Sequence, residues 1–480
     1  MSLDANQPSE QYQAVRQERP LSHSRLGRRV STLIVAGLLC AAGWPASRLD
    51  AQRGGMFRGS VDDPAISYSS APVDNVVDRL NRQLEDGSAS LAFQGRSGYL
   101  QSAIDALKLP IDSQLLVFSR ASLQGRLINA ASPRALFFND RVVLAWVRDG
   151  EILEAAAHDE KQGIVFYSLE QRPAERPMFK REFRCLGCHV AGDTLGVPGL
   201  LMFSTTPETR DRAMKVVTTD QRSPIAERWG GWFVTGDSGR AQHLGNLVPA
   251  LEGRPRGALA SVAGLFDADG FRGSSSDIAA LMTFSHQTQM INLLTRASWE
   301  ARAADPALHP GVPAQPDQTQ LVETFMSGIA EEVVDYLLFV DEAPLPGPVT
   351  GRSGFAERMS ALGPHDRRGR SLYELDLKRR LMKYPCSYLI YSPAFDALPP
   401  LAKVPIYKRM WDVLSGQARE PRYRSLSLAD RQAIVEILRD TKPDLPVYFT
   451  AVIKQTTCRR RAIIAPRQSA LPGTGDPQPG

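Results

Sequence analysis

The hydrophobic pattern changes period along the chain, and each change predicts a different element. Val73, Val76, Val77, Leu80 and Leu84 fall on one face of a helix that Glu85-Asp86-Gly87 brings to a stop. Leu100, Ile104 and Leu107 predict a second, shorter helix ending before Pro110. From about Leu115 to Leu169 the apolar positions gather into short runs instead. These are Leu115–Phe118, Ala135–Phe138, Val142–Val147, Ile152–Leu153 and Ile164–Tyr167. Asn139-Asp140 and Asp149-Gly150 separate neighbouring runs with turn-forming residues, so the runs predict an antiparallel meander of hairpins.

Helical spacing returns in the second half. Asp277 to about Ala301 predicts the strongest helix of the middle region, and about Gln320 to Phe339 predicts another. Between them residues 302–318 contain Pro306, Pro310, Pro313 and Pro316 and read as a linker. Residues 344–351 read as a second linker. The region from Phe355 to Asp440 is mainly helical, with Ser427-x-x-Asp430 as a helix-starting cap. Trp229-Gly230-Gly231-Trp232-Phe233 mixes large rings with glycines and fits either a strand that packs its rings on a flat surface or ordinary core aromatics. The pattern predicts an α+β fold, strand-rich in its first half and mainly helical towards the C-terminus. The expected divisions are a leader over 1–51, an α+β domain over 52–301, the linker at 302–318, a helical region over 319–458 and a tail over 459–480.

Composition bounds the picture without changing it. About 430 residues remain beyond the leader, enough for a sizeable core. The net charge is +5, of which the leader's six Arg and four Asp/Glu account for +2. Arg459, Arg460 and Arg461 stand together at the start of a Pro/Gly-rich tail, a solvated end that gives no reason to expect nucleic-acid binding. There is no internal repeat, phosphate-binding glycine loop or H-E-x-x-H motif.

One constellation carries chemistry: Cys185-Leu186-Gly187-Cys188-His189. C-x-x-C-H is the attachment signature of a c-type haem. Two thiols one turn apart can each bond one vinyl group of the porphyrin, and the next histidine is then held beneath the ring, where it can ligate iron. At this chain's cysteine and histidine content, an accidental match is expected in roughly one such sequence per thousand. A zinc ribbon needs four ligands and usually a second Cys pair, which is missing. A thioredoxin-like dithiol needs no following histidine and expects a βαβ setting.

Cys185 to Leu200, about sixteen residues, resembles the attachment segment of c-type cytochromes. The resemblance implies one covalently bound haem c on Cys185 and Cys188, with His189 as its axial metal ligand. It also implies that Val197-Pro198-Gly199-Leu200 supplies a backbone carbonyl to the second nitrogen of His189. For the sixth position His286 is the favoured candidate. Met282, His286, Met290, Leu293 and Ala297 share one stripe of the predicted helix. His243, beside Gly245, is the next candidate, and Met282 or Met290 could serve from the same helix. Met202 reads as core. His158, His309 and His365 have little to recommend them, and His23 lies in the leader.

Haem attachment of this kind takes place outside the cytoplasm, and the N-terminus agrees. Arg16, Arg19, Arg25, Arg28 and Arg29 precede an apolar run from Val30 to Trp44, the layout of a signal peptide with cleavage expected before Gln52. Membrane association is expected only if that leader stays uncleaved. Cys386 and Cys458 could pair in an oxidising compartment. The sequence thus predicts a periplasmic or otherwise extracytoplasmic monohaem protein that transfers electrons to a redox partner protein. A haem-dependent oxidoreductase or peroxidase, or a haem-based sensor or binding module, is the alternative.

Overall fold

The computed structural model describes residues 55–206, 215–253, 257–308 and 318–451. The expected leader, most of the 302–318 linker, the C-terminal tail and Cys458 lie outside the described residues, as do His23 and His309. The fold is α+β. Helices α1 (Val76–Glu85) and α2 (Leu100–Ala106) are the first α-helices among the described residues. Asn75 caps α1 by accepting hydrogen bonds from the backbone of Val77 and Asp78, which is why the helix starts three residues later than its apolar face suggests.

A six-stranded antiparallel meander follows, with spatial order equal to chain order. Its strands are β1 (Leu115–Val117), β2 (Arg134–Phe138), β3 (Val142–Trp146), β4 (Ile152–Asp159), β5 (Gly163–Glu170) and β6 (Lys180–Arg181). The strands read as apolar runs rather than alternating patterns because both faces of the sheet are covered. On one face Leu116, Phe137, Leu144, Ala155, Val165 and their neighbours pack with α1 and α2. On the other, Leu136, Phe138, Val143, Ala145, Ala156 and Phe166 join a core shared with the later helices. The Trp/Gly segment forms no regular strand. It covers the open edge of β1 through Phe118 N–H to Gly231 O at 2.7 Å and Phe233 N–H to Leu116 O at 2.9 Å. Trp229 and Gly231 have positive φ, of 68° and 86°, which breaks strand geometry on either side of Gly230.

After the motif helix α3 (Leu186–His189) and the hairpin β7–β8 (Phe203–Thr206 and Lys215–Thr218), the chain enters helix α4 (Ile278–Ala303). This helix is buried on every side. Asp277 sets its start, accepting from Ala279 N at 2.8 Å, Arg352 N at 2.7 Å and Ser353 N at 2.8 Å. Phe284 of α4 meets Phe138 of the sheet at 4.9 Å between ring centroids. On its other sides lie α5 (Gln318–Leu337), α6 (Phe355–Ser360), α7 (Pro393–Asp396) and α8 (Pro400–Ser415), and α9 (Leu428–Thr441) packs on α8. Ser427 caps α9, its Oγ accepting from Asp430 N at 3.0 Å. One continuous core runs from Leu115 to Phe449, so the described residues on either side of 309–317 are packed together around α4.

Candidate functional site

The C-x-x-C-H residues lie on one helical turn. A tight turn over Phe183–Cys185 leads into α3, and the Glu182 carboxylate caps that turn at Arg184 N, 3.2 Å away. Cys185 is half-buried and Cys188 exposed, and both thiols are free. Burial pushes the Cys185 thiol up to about 12, with the Glu154 and Glu182 carboxylates adding to the shift. A redox dithiol needs the opposite, a thiolate favoured near neutral pH. Among the described residues no group of three or more His, Cys, Asp or Glu side chains is arranged to hold a metal ion.

His189 is held on one side only. Its Nδ1–H donates to the carbonyl of Gly199 at 2.8 Å, which leaves the lone pair on Nε2. Among the described residues nothing hydrogen-bonds to Nε2. The ring rests against Phe166 of β5, centroids 4.7 Å apart, and burial holds its pKa below the usual histidine value. A neutral imidazole with Nδ1 fixed and Nε2 free is the form that ligates iron. Two free thiols one turn apart and an imidazole with one nitrogen fixed thus stand together on this turn, the donor set that a covalently attached haem would need.

The carbonyl that orients His189 is itself locked in place. Gly199 N–H returns a hydrogen bond to His189 O at 3.0 Å. Asn292, buried in α4, grips the next residue at both ends. Its Oδ1 accepts from Leu200 N at 3.1 Å and its Nδ2 donates to Leu200 O at 2.9 Å. A Cβ on residue 199 would stand 2.3 Å from Asn292 Oδ1, so only glycine fits between helix and loop. The loop's other flank is tied by Phe57 N–H to Leu195 O at 2.9 Å. Asn292 escaped sequence reasoning. Its only signal was a polar residue inside a helix that is otherwise packed core.

The structure does not present His286 as a ligand. Its Nδ1–H donates to Gln221 Oε1 and its Nε2 accepts from Ser387 Oγ at 2.6 Å. The ring lies stacked between Tyr336 and Phe339 at 5.4 and 4.5 Å, and burial drives its pKa down to about 3. The helix geometry explains the placement. Six residues separate His286 from Asn292, about 240° around the helix and about 9 Å along it, so His286 faces the C-terminal helices while Asn292 faces the motif loop. The Met/His stripe misled because α4 has apolar neighbours on all sides.

Met282 and Met290 are buried core residues, and Met202 accepts a hydrogen bond from Ser285 Oγ at 2.7 Å. His243 is buried edge-on to Trp229 at 5.4 Å. Its Nδ1 accepts from Gly245 N at 3.1 Å, and its Nε2 has no hydrogen-bond partner among the described residues. His158 is half-buried on β4 and His365 is exposed. Cys386 is free and buried, its thiol pushed up by desolvation. Among the described residues no helix is long and apolar enough to cross a membrane. In comparisons with known proteins the chain matches no family model, and no curated protein or solved structure matches it significantly.

Proposed function

We propose that this chain is an exported monohaem c-type protein that transfers electrons to a redox partner protein. Cys185 and Cys188 would hold the haem through thioether bonds and His189 would ligate its iron. The observation that carries the reading is the His189 arrangement, with Nδ1 pinned to Gly199 O at 2.8 Å and Nε2 left free on the same turn as two free thiols. Haem bound in this way supplies a one-electron iron couple. The chain's own residues supply the rest. Gly199 and Asn292 fix the imidazole, Phe166 packs its ring, and the two-sided core around the sheet keeps the frame rigid. Cys188 is exposed, so a group bonded to it meets solvent at that edge, where a partner protein can dock.

The basic-then-apolar leader supports export, and N-terminal sequencing of the mature protein should begin near Gln52. The central test is chemical. Protein made alongside cytochrome maturation machinery should keep its haem through denaturation and acid–acetone extraction, and Cys185→Ala should keep at most one thioether. Haem that extracts cleanly from the unaltered protein would remove the basis for the whole reading.

A further inference from the structure

Charged side chains are rare inside the sheet, and two of them meet next to the motif. Arg134 on β2 and Glu154 on β4 lie on the face that carries Phe166, on either side of β3, where Ala145 is the direct partner of Glu154. Their side chains close to 2.8 Å at 19% and 14% exposure. The contact is off hydrogen-bonding angle, and among the described residues Arg134 Nε and Glu154 Oε2 are buried without a hydrogen-bond partner. Ser122 Oγ donates to the other carboxylate oxygen at 3.3 Å. Ion pairs left half-satisfied in a poorly solvated place are costly to keep, and replacing them by apolar residues is often neutral or stabilising.

The position of the pair relative to the motif follows from register. Phe166 is paired with Ala156, so Glu154 is its diagonal neighbour on the same face, at the spacing of roughly 7–8 Å usual for such pairs. His189 packs directly on Phe166. Both charges act on both motif residues: Glu154 raises and Arg134 lowers the Cys185 thiol pKa, and the same two charges act in the same senses on His189. We propose that Arg134 and Glu154 form a half-buried charge pair, on the sheet face where Phe166 carries His189, that sets the reduction potential of a haem held at Cys185, Cys188 and His189. The proposal rests on the haem reading above. Its sign is fixed by Coulomb's law, because a positive charge near the iron favours the reduced state and a negative charge the oxidised state.

A second pair gives the control. Arg184 and Glu182 also sit beside Cys185 and close to 2.7 Å, but Arg184 is 71% exposed and screened by water. The experiment measures midpoint potentials of purified holoprotein for the wild type, Arg134→Gln, Glu154→Gln, the double variant and Arg184→Gln, each with its covalent haem content. Arg134→Gln should lower the potential and Glu154→Gln should raise it. The double variant should fall between the two, and Arg184→Gln should shift it least. Arg134→Lys, which keeps the charge, should stay near wild type.

Shifts of the same sign for both single variants overturn the inference, as does an Arg134→Lys shift as large as that of Arg134→Gln. If Arg134→Gln yields no holoprotein, Glu154→Gln decides alone: a rise beyond the Arg184→Gln shift supports the inference and a smaller one overturns it. The two claims fail in different ways. A wild type without covalent haem ends the functional reading, whereas full haem content with unmoved potentials ends only the role of the pair.

Discussion

Replacing Asn292 with alanine tests how the site is held. The substitution leaves Leu200 N–H and Leu200 C=O without the partners they now have at 3.1 and 2.9 Å. A buried polar backbone group that loses its partner costs about 1–3 kcal/mol. Leu200 is half-buried, so water recovers part of that cost, and the lower half of the range applies to each group. The expected loss is about 2–4 kcal/mol, roughly 30- to 700-fold in the folding equilibrium. Urea denaturation followed by tryptophan fluorescence reads the loss directly and needs no haem. Hydrogen exchange resolved by mass spectrometry gives the local counterpart. Peptides spanning residues 195–202 should lose protection while those from β3 and β4 keep theirs, because the damage is confined to the loop that carries Gly199. A stability change under about 0.5 kcal/mol, with protection of that loop unaltered, would refute the clamp.

Two further substitutions have signed outcomes. His286→Ala should leave the ferric spin state of the folded holoprotein unchanged while destabilising it by about 3 kcal/mol, because Gln221 and Ser387 lose a buried partner and two aromatic rings lose a neighbour. A changed electron paramagnetic resonance spectrum in folded protein would instead make His286 a ligand. Glu342 accepts from Leu381 N at 2.7 Å, and burial raises its carboxyl to about 7. The unfolded chain ionises this group near its ordinary value of 4.5 while the fold keeps it protonated, so its contribution to stability is lost as pH rises from 4.5 to about 7. Glu342→Gln should therefore gain on wild type across that window, by on the order of 3 kcal/mol, and hold a constant margin above it. A difference that stays flat between pH 4.5 and 7 would count against the shift.

Local signals were legible in the sequence, and relations between distant segments were not. The meander could be read because its turns are written in Asn139-Asp140 and Asp149-Gly150, and the observed order follows the chain without a crossover. The α9 cap and the Gly199 carbonyl were legible for the same reason, since each depends on residues within ten positions of its target. His286 was misread because an apolar stripe looks the same whether it covers a cofactor or packs against other helices. That difference was decided by Gln221 and Ser387, 65 and 101 residues away. Arg134 and Glu154 were equally silent. Only the register of β2, β3 and β4 shows that both point to the face behind the motif.

The reach of Asn292 also sets an order in time. The helix that locks Leu200 lies 92 residues downstream of it, so the motif leaves the ribosome or the export channel well before its clamp exists. At roughly 5–20 residues per second of synthesis, that interval lasts about 5–20 s. During it Cys185, Cys188 and His189 belong to a segment that Asn292 does not yet hold. Once α4 arrives and the loop is drawn under it, access narrows to the exposed Cys188 edge. The long connection between loop and clamp therefore separates the synthesis of the Cys185–His189 segment from the closing of its loop.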